Sequence, residues 1–217
     1  MDMKPSLLIW DWNGTLLDDV RACLNVANAM LAARGMRPIP DLAAYRSIFR
    51  FPVIGYYRDM GYTFEDESFE EVSLDFVARY KKELARCTLM PGAEKVVGKI
   101  AAAGIPQTVL SATGEDRLAD EIRSFGLLDA FETVLGLNDN LAFGKAERGR
   151  AYVREKGIDP DRVLFIGDTD HDAEVARAIG CRCVLIPNGH QPKEKLATLG
   201  VPLIGSLKEL PALIGIE

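Results

Sequence analysis

Asp11, Ser111, Lys145, Asp168 and Asp172 are the residues of this 217-residue chain whose types and places could do chemistry together. Each follows a short stretch that looks like a strand or its end. Leu7-Leu8-Ile9-Trp10 precedes Asp11, Thr108-Val109-Leu110 precedes Ser111, and Phe143-Gly144 precedes Lys145. Val163-Leu164-Phe165-Ile166 leads into Gly167-Asp168-Thr169-Asp170-His171-Asp172. Continuous apolar runs of this length belong to buried strands of parallel sheets, and such sheets bind ligands outside the carboxyl ends of their strands. Three acidic positions, a lysine and a hydroxyl brought to neighbouring strand ends can assemble one magnesium and phosphate site. Oxygen ligands suit a hard cation, and the lysine offsets the negative charge collected there. Gly14 lets backbone amides approach an anion closely, although Asp, Asn and Gly also make ordinary turns. Asp168 and Asp172 suit the first turn of a following helix as well, a role compatible with holding a metal.

The elements that must position these residues alternate. After Asp19, apolar residues recur at helical spacing over 20–34 until Gly35. Asp41 can cap a second helix through Tyr45 and Ile48. A third runs over 53–60 after Phe51-Pro52, and a longer amphipathic one over 67–84 carries Phe69, Val72, Phe76, Val77 and Tyr80 on one face. Nothing from 18 to 86 reads as a buried strand, so this stretch is a helical insertion. From 93 onward, helices at 93–103, 115–125, 146–156 and 172–179 alternate with strands at 105–111, 131–136, 162–166 and 182–186, the pattern of βαβ units. The tail adds a helix at 192–199, an extended piece at 202–204 and a last helix at 207–214. The expected fold is α/β: a Rossmann-like, three-layer parallel-sheet core over 1–17 and 88–217, with 18–87 inserted.

Composition narrows the class of partner. The chain is 48% hydrophobic and 27% charged, as an ordinary globular protein is. Its net charge of −6 argues against a nucleic-acid partner, which would ask for a basic face. No apolar run reaches membrane-spanning length, and the start has neither the basic residues nor the apolar stretch of a signal peptide. Cys23, Cys87, Cys181 and Cys183 are irregularly spaced and read as small packed hydrophobes. The expectation is a reduced, cytoplasmic protein, monomer or homodimer, without a membrane partner.

An Asp-x-x-Gly-Thr at a strand end, then a strand-end Ser, a Gly-Lys and a Gly-Asp-Thr-x-x-x-Asp, in that order, resemble the haloacid dehalogenase-like superfamily. The insertion directly after the first motif resembles the small helical cap of the phosphoglycolate-phosphatase-like branch. The resemblance spans essentially the full chain and implies a Mg²⁺-dependent phosphatase acting on a small phosphorylated metabolite. It makes Asp11 the nucleophile, forming an aspartyl-phosphate. Asp11, the backbone carbonyl of Asn13 and Asp168 would hold Mg²⁺, with Asp172 supporting them through water or Lys145. Gly14, Thr15, Ser111, Ala112 and Lys145 would bind phosphate oxygens. Arg46 and Arg50, in the cap, are placed to meet a second anionic group. His171 is expected to be exposed.

Asn13 departs from the family pattern, which has a second aspartate two residues after the nucleophile to protonate the leaving oxygen and deprotonate water. A carboxamide does neither. Several explanations stand open: another proton donor (Asp18, Asp19 or His190), a substrate with a good leaving group, a trapped or non-catalytic phosphate-binding homologue, or deamidation at Asn13-Gly14. A phosphosugar mutase shares the cap and the aspartyl-phosphate but depends still more on the absent acid. A receiver-type signalling domain also pairs an acceptor aspartate with Ser/Thr and Lys, but lacks the helical insertion. The absence of G-x-G-x-x-G after the first strand speaks against dinucleotide binding.

Overall fold

A computed structural model describes residues 4–137, 144–187 and 189–216. Its centre is β1 (Leu7–Trp10), all four residues fully buried. Side chains of a strand alternate between faces, and here both faces are apolar. Leu8 and Trp10 enter one core layer, Leu7 and Ile9 the other. That is why the run is continuously hydrophobic.

β1 leads to β2 (Leu17–Asp18), the helices α1 (Val20–Ala33), α2 (Leu42–Ile48), α3 (Val53–Asp59) and α4 (Phe69–Glu83), and then β3 (Thr88–Leu89). The chain continues through α5 (Ala93–Ala102), β4 (Gln107–Gly114), α6 (Glu115–Ser124), β5 (Thr133–Leu137), α7 (Lys145–Glu155), β6 (Val163–Gly167), α8 (Asp170–Ile179) and β7 (Arg182–Leu185). Two four-residue helices, α9 (Lys193–Leu196) and α10 (Leu210–Leu213), lie in the tail. The main sheet is ordered β5-β4-β1-β6-β7 and all its pairings are parallel. The chain therefore runs from β1 to one side through β4 and β5, then crosses back to β6 and β7 on the other. A crevice at such a reversal is where open α/β sheets bind ligands.

One core layer joins β1 to Val97 and Ile100 of α5 and Leu118 and Ile122 of α6. The other joins it to Val153 of α7 and Val175 and Ile179 of α8. This is the three-layer core read from the sequence. The inserted helices form a third apolar cluster of their own around Leu24, Met30, Tyr45, Tyr57 and Val72. An antiparallel ribbon absent from the sequence reading, Leu17 opposite Leu89 and Asp18 opposite Thr88, links insertion and core. It is two residues per strand, too short to show a periodicity.

Three local expectations are corrected. β4 continues past Ser111 to Gly114, with a register shift against β5 after Leu110, so Ser111 lies within the strand's irregular end. α8 begins at Asp170, because Thr169 accepts from the Asp172 amide and Asp172 accepts from the Thr169 amide, a reciprocal capping box. His171 is not exposed: its side chain is 18% accessible and its ring stacks on Phe51, with centroids 4.5 Å apart. Phe143, read as leading into Lys145, lies outside the described residues. Among the described residues no helix is long and apolar enough to cross a membrane.

Candidate active site

β1 ends at Trp10, and the next residue, Asp11, is 6% exposed at the floor of a cavity of about 190 Å³. Lys145, first residue of α7 and 2% exposed, donates to Asp11 Oδ1 at 2.6 Å and to Asp172 Oδ1 at 2.7 Å. The other oxygen of Asp172 accepts from the amides of Asp168 and Thr169 and from the Thr169 hydroxyl. Asp11, Asp168 and Asp172 each offer an oxygen within 4.8 Å of the others. The five residues named first from the sequence thus converge, with Ser111 and Ala112 on the same cavity wall.

The electrostatics of this cluster are unbalanced. Burial pushes the Asp11 carboxyl up to about 6, against the pull of Lys145 and with the push of Asp172. Burial also raises Asp168 well above the usual carboxylate range, with His190 opposing. Burial works against the charge of Asp172 too, but Lys145 and Thr169 outweigh it and hold the group low. Lys145 is likewise penalised by burial and raised by its two carboxylates. One ammonium among three buried carboxylates leaves negative charge uncompensated. An all-oxygen donor set with excess negative charge fits a hard divalent cation.

Other expected residues are placed differently. Gly14 donates to Leu17 O and to Asp19 Oδ1, and Thr15 Oγ1 lies 3.1 Å from Asp168 Oδ1. Neither lines the cavity, and both shape the loop beside it. Gly14 has φ +74°, and a Cβ there would strike the Asp168 carboxylate and come 2.6 Å from the His190 ring, so only glycine fits. Arg46 and Arg50 do not line the cavity either. Arg46 donates to Gly189 O at 2.8 Å, fastening α2 to the core. Arg50 pairs with Asp59 at 2.7 Å on the surface.

The sequence did not reveal the network around Asn13. Its amide nitrogen donates to Asp19 Oδ2 at 2.9 Å and to the Tyr80 hydroxyl at 3.0 Å. Its oxygen accepts from Thr113 Oγ1 at 2.8 Å and from Ser111 Oγ at 3.4 Å. Asp19 holds the N-cap position of α1 yet makes no side-chain cap bond. Its carboxylate instead accepts from Gly14, Asn13 and Tyr80 and faces His190 Nε2 at 3.2 Å. His190 Nδ1 lies 2.8 Å from the Tyr45 hydroxyl. Of the three proton sources considered for the missing acid, Asp19 and His190 reach the cavity, whereas Asp18 is exposed. Deamidation of Asn13 requires the Gly14 nitrogen to attack the side-chain carbon. In the folded loop that amide is turned to Asp19 and Leu17 while the carboxamide is held at both ends, so the fold opposes the reaction.

The same network has a pH signature. Burial disfavours charge on His190, but Asp19 outweighs it and raises the imidazole to about 9, from an ordinary 6.5. Burial opposes charge on Asp19 as well, and His190, Tyr80 and Asn13 nevertheless hold its pKa low. A raised histidine stabilises the fold fully below its unfolded pKa, and loses that contribution as pH climbs through the folded one. In cation-free buffer, melting temperature measured from pH 6.5 to 9 is therefore expected to fall more steeply for the wild type than for His190→Gln. Parallel curves for the two proteins would contradict the ion pair.

A family model described as haloacid dehalogenase-like hydrolase matches residues 8–186. The phosphoglycolate phosphatase of Rhodobacter capsulatus is 28% identical over 218 aligned residues, covering 99% of this chain and 97% of that protein. The solved structure of Mycobacterium tuberculosis Protein Tyrosine Kinase A (PtkA) superposes with a TM-score of 0.82 at 25% identity, covering 98% of this chain and 99% of that one. The haloacid dehalogenase-like family protein SP0104 of Streptococcus pneumoniae superposes with a TM-score of 0.84 at 16% identity, over 97% of this chain and 98% of that chain.

Proposed function

The chain belongs to the haloacid dehalogenase-like hydrolase family, and we propose that it is a Mg²⁺-dependent phosphatase hydrolysing a small phosphomonoester through a phosphoryl group carried on Asp11. The observation that carries this reading is the buried Asp11–Lys145–Asp172 ion triad, with Asp168 beside it, at the floor of a cavity. The name of the Rhodobacter relative, a phosphoglycolate phosphatase, supports the reaction class.

Each residue then has a part. Lys145 fixes the Asp11 carboxylate by one oxygen. The Asp11 carboxylate attacks phosphorus, and water later displaces the phosphoryl group, so one hard displacement becomes two easier ones. Lys145, the Ser111 hydroxyl and the Ala112 amide hold phosphate oxygens and stabilise charge on the transferring group. Asp11, the Asn13 carbonyl and Asp168 would hold Mg²⁺, while Asp172 keeps Lys145 and the Asp168 amide in place. Bound there, the cation offsets the charge that phosphate and carboxylates bring together. The cap of residues 18–87 covers the strand ends and keeps water from the site.

Asn13 favours a second reading, a phosphate-binding homologue that turns over slowly or not at all, because its carboxamide is bonded at both ends. One experiment separates the two. Phosphate release from a panel of small phosphomonoesters is expected in the presence of Mg²⁺ and is expected to disappear with a chelator. Mg²⁺-dependent binding of inorganic phosphate with no release from any ester would instead support the binding protein.

A further inference from the structure

The upper half of the cavity differs from its floor. Among the described residues, the cap side chains that line it are uncharged apart from Asp19, which pairs with His190, and most are apolar or aromatic: Phe49, Phe51, Val53, Phe69, Phe76 and Val77 are examples. The two cap arginines expected to meet an anion are committed elsewhere. Tyr56, 3% exposed, also lines the cavity, and its hydroxyl has no hydrogen-bond partner. Such buried polar groups are normally satisfied, so this one is left for a ligand.

We propose that the substrate is a small aryl phosphomonoester, its phosphate on the Asp11 floor and its ring against the apolar cap wall, with a polar ring substituent bonded to Tyr56. The inference rests on the phosphatase reading and names its substrate class. Two independent observations meet in it. The cap wall itself supplies no cation for a second anionic group; the arginine that lines the cavity, Arg117, comes from α6 of the core. At the floor, Asn13 holds no proton to give to a leaving oxygen. A phenol solves both difficulties: its pKa, ~10 as in a tyrosine side chain, lets it depart unassisted, where an aliphatic alcohol near the ~16 of water does not. The volume of about 190 Å³ exceeds the ~150 Å³ of an engineered apolar cavity that takes up benzene.

The step balances without further reagents. A carboxylate oxygen of Asp11 bonds to phosphorus while the phosphorus–oxygen bond to the ring breaks. Its electron pair leaves on oxygen as phenolate, which takes a proton from water on release. Water then bonds to phosphorus, the bond to Asp11 breaks with its electrons returning to the carboxylate, and the surplus proton passes through the phosphate to solvent.

The test uses the wild-type protein with Mg²⁺ and two readouts. By calorimetry, phenylphosphonate is expected to bind roughly 10–100-fold more tightly than methylphosphonate, which is what burying a phenyl ring is worth, and more tightly than phosphonoacetate. In turnover, phenyl phosphate is expected to exceed cyclohexyl phosphate, which is equally apolar but has a poor leaving group, by ~10²-fold or more. Phosphonoacetate binding as tightly as phenylphosphonate would overturn the inference, as would equal hydrolysis of the cyclohexyl and phenyl esters. If no ester is hydrolysed, the phosphatase reading falls, and the phosphonate ratio still decides whether the cap selects an aromatic ring.

Discussion

Replacing Asn13 by Asp is expected to raise the turnover of alkyl phosphomonoesters by ~10²–10⁴-fold, the usual worth of general acid–base assistance. Aryl phosphates, which need less help, are expected to gain far less. The surroundings favour the acid form of the introduced carboxyl. It would stand where a donor now lies 2.9 Å from Asp19, a carboxylate held ionised by His190. A like charge so close raises a carboxyl pKa, and a protonated acid is what a departing alkoxide requires. The measurement is steady-state kinetics of wild type and Asn13→Asp on phenyl and alkyl phosphates side by side. An equal gain on both, or no gain on either, would show that the proton already comes from another group. Repulsion from Asp19 sets the cost: the variant is expected to melt below the wild type at neutral pH and to recover as the pH falls and the carboxyl is protonated.

The contrast between Asp11 and Asn13 shows which parts of the site were legible in the sequence. Asp11 and Asp168 could be found because position in a parallel sheet is written locally, whereas Lys145, which opens α7 rather than ending a strand, was reached only through its place in the ordered set of motifs. A buried strand must be apolar throughout, and the residue that breaks the run stands at the ligand end. The hydrogen bonds that define Asn13 are not local. They join it to Tyr80, 67 positions on, and to Thr113, 100 positions on. His190 arrives on the loop after β7, and its closeness to Gly14 is a property of packed backbones rather than of any pattern. Asp19 carried a misleading signal, since an Asp before a helix normally caps it. Here Gly14, Asn13 and Tyr80 claim its oxygens instead. The contacts of Arg46 and Arg50 were hidden for a different reason. A helix surface gives an arginine several directions, and the carbonyl and carboxylate that take these two lie outside any motif.

Asp11→Asn is expected to lower turnover by on the order of 10⁴-fold or more, because a carboxamide cannot carry the phosphoryl group. The loss should come without unfolding. Burial raises the Asp11 carboxyl to about 6, so its charge is disfavoured in the folded protein. A group raised in this way lends its stability below the unfolded pKa and withdraws it as pH rises through the folded one. At neutral pH in chelator, the variant is therefore expected to melt at or above the wild type, since it removes a penalised charge while Asp172 continues to pair with Lys145. Adding Mg²⁺ should reverse that order, because a bound cation stabilises the folded state by mass action and the variant has lost one of its oxygen ligands. Acid quenching during turnover supplies the chemical control: phosphate is expected to remain covalently attached to wild type and not to Asp11→Asn. A variant that retains turnover and label would place the nucleophile elsewhere, whereas one that melts early in chelator would show Asp11 to be a structural anion. The activity loss together with the Mg²⁺-dependent reversal distinguishes a reacting carboxylate from one that only balances the charge of Lys145.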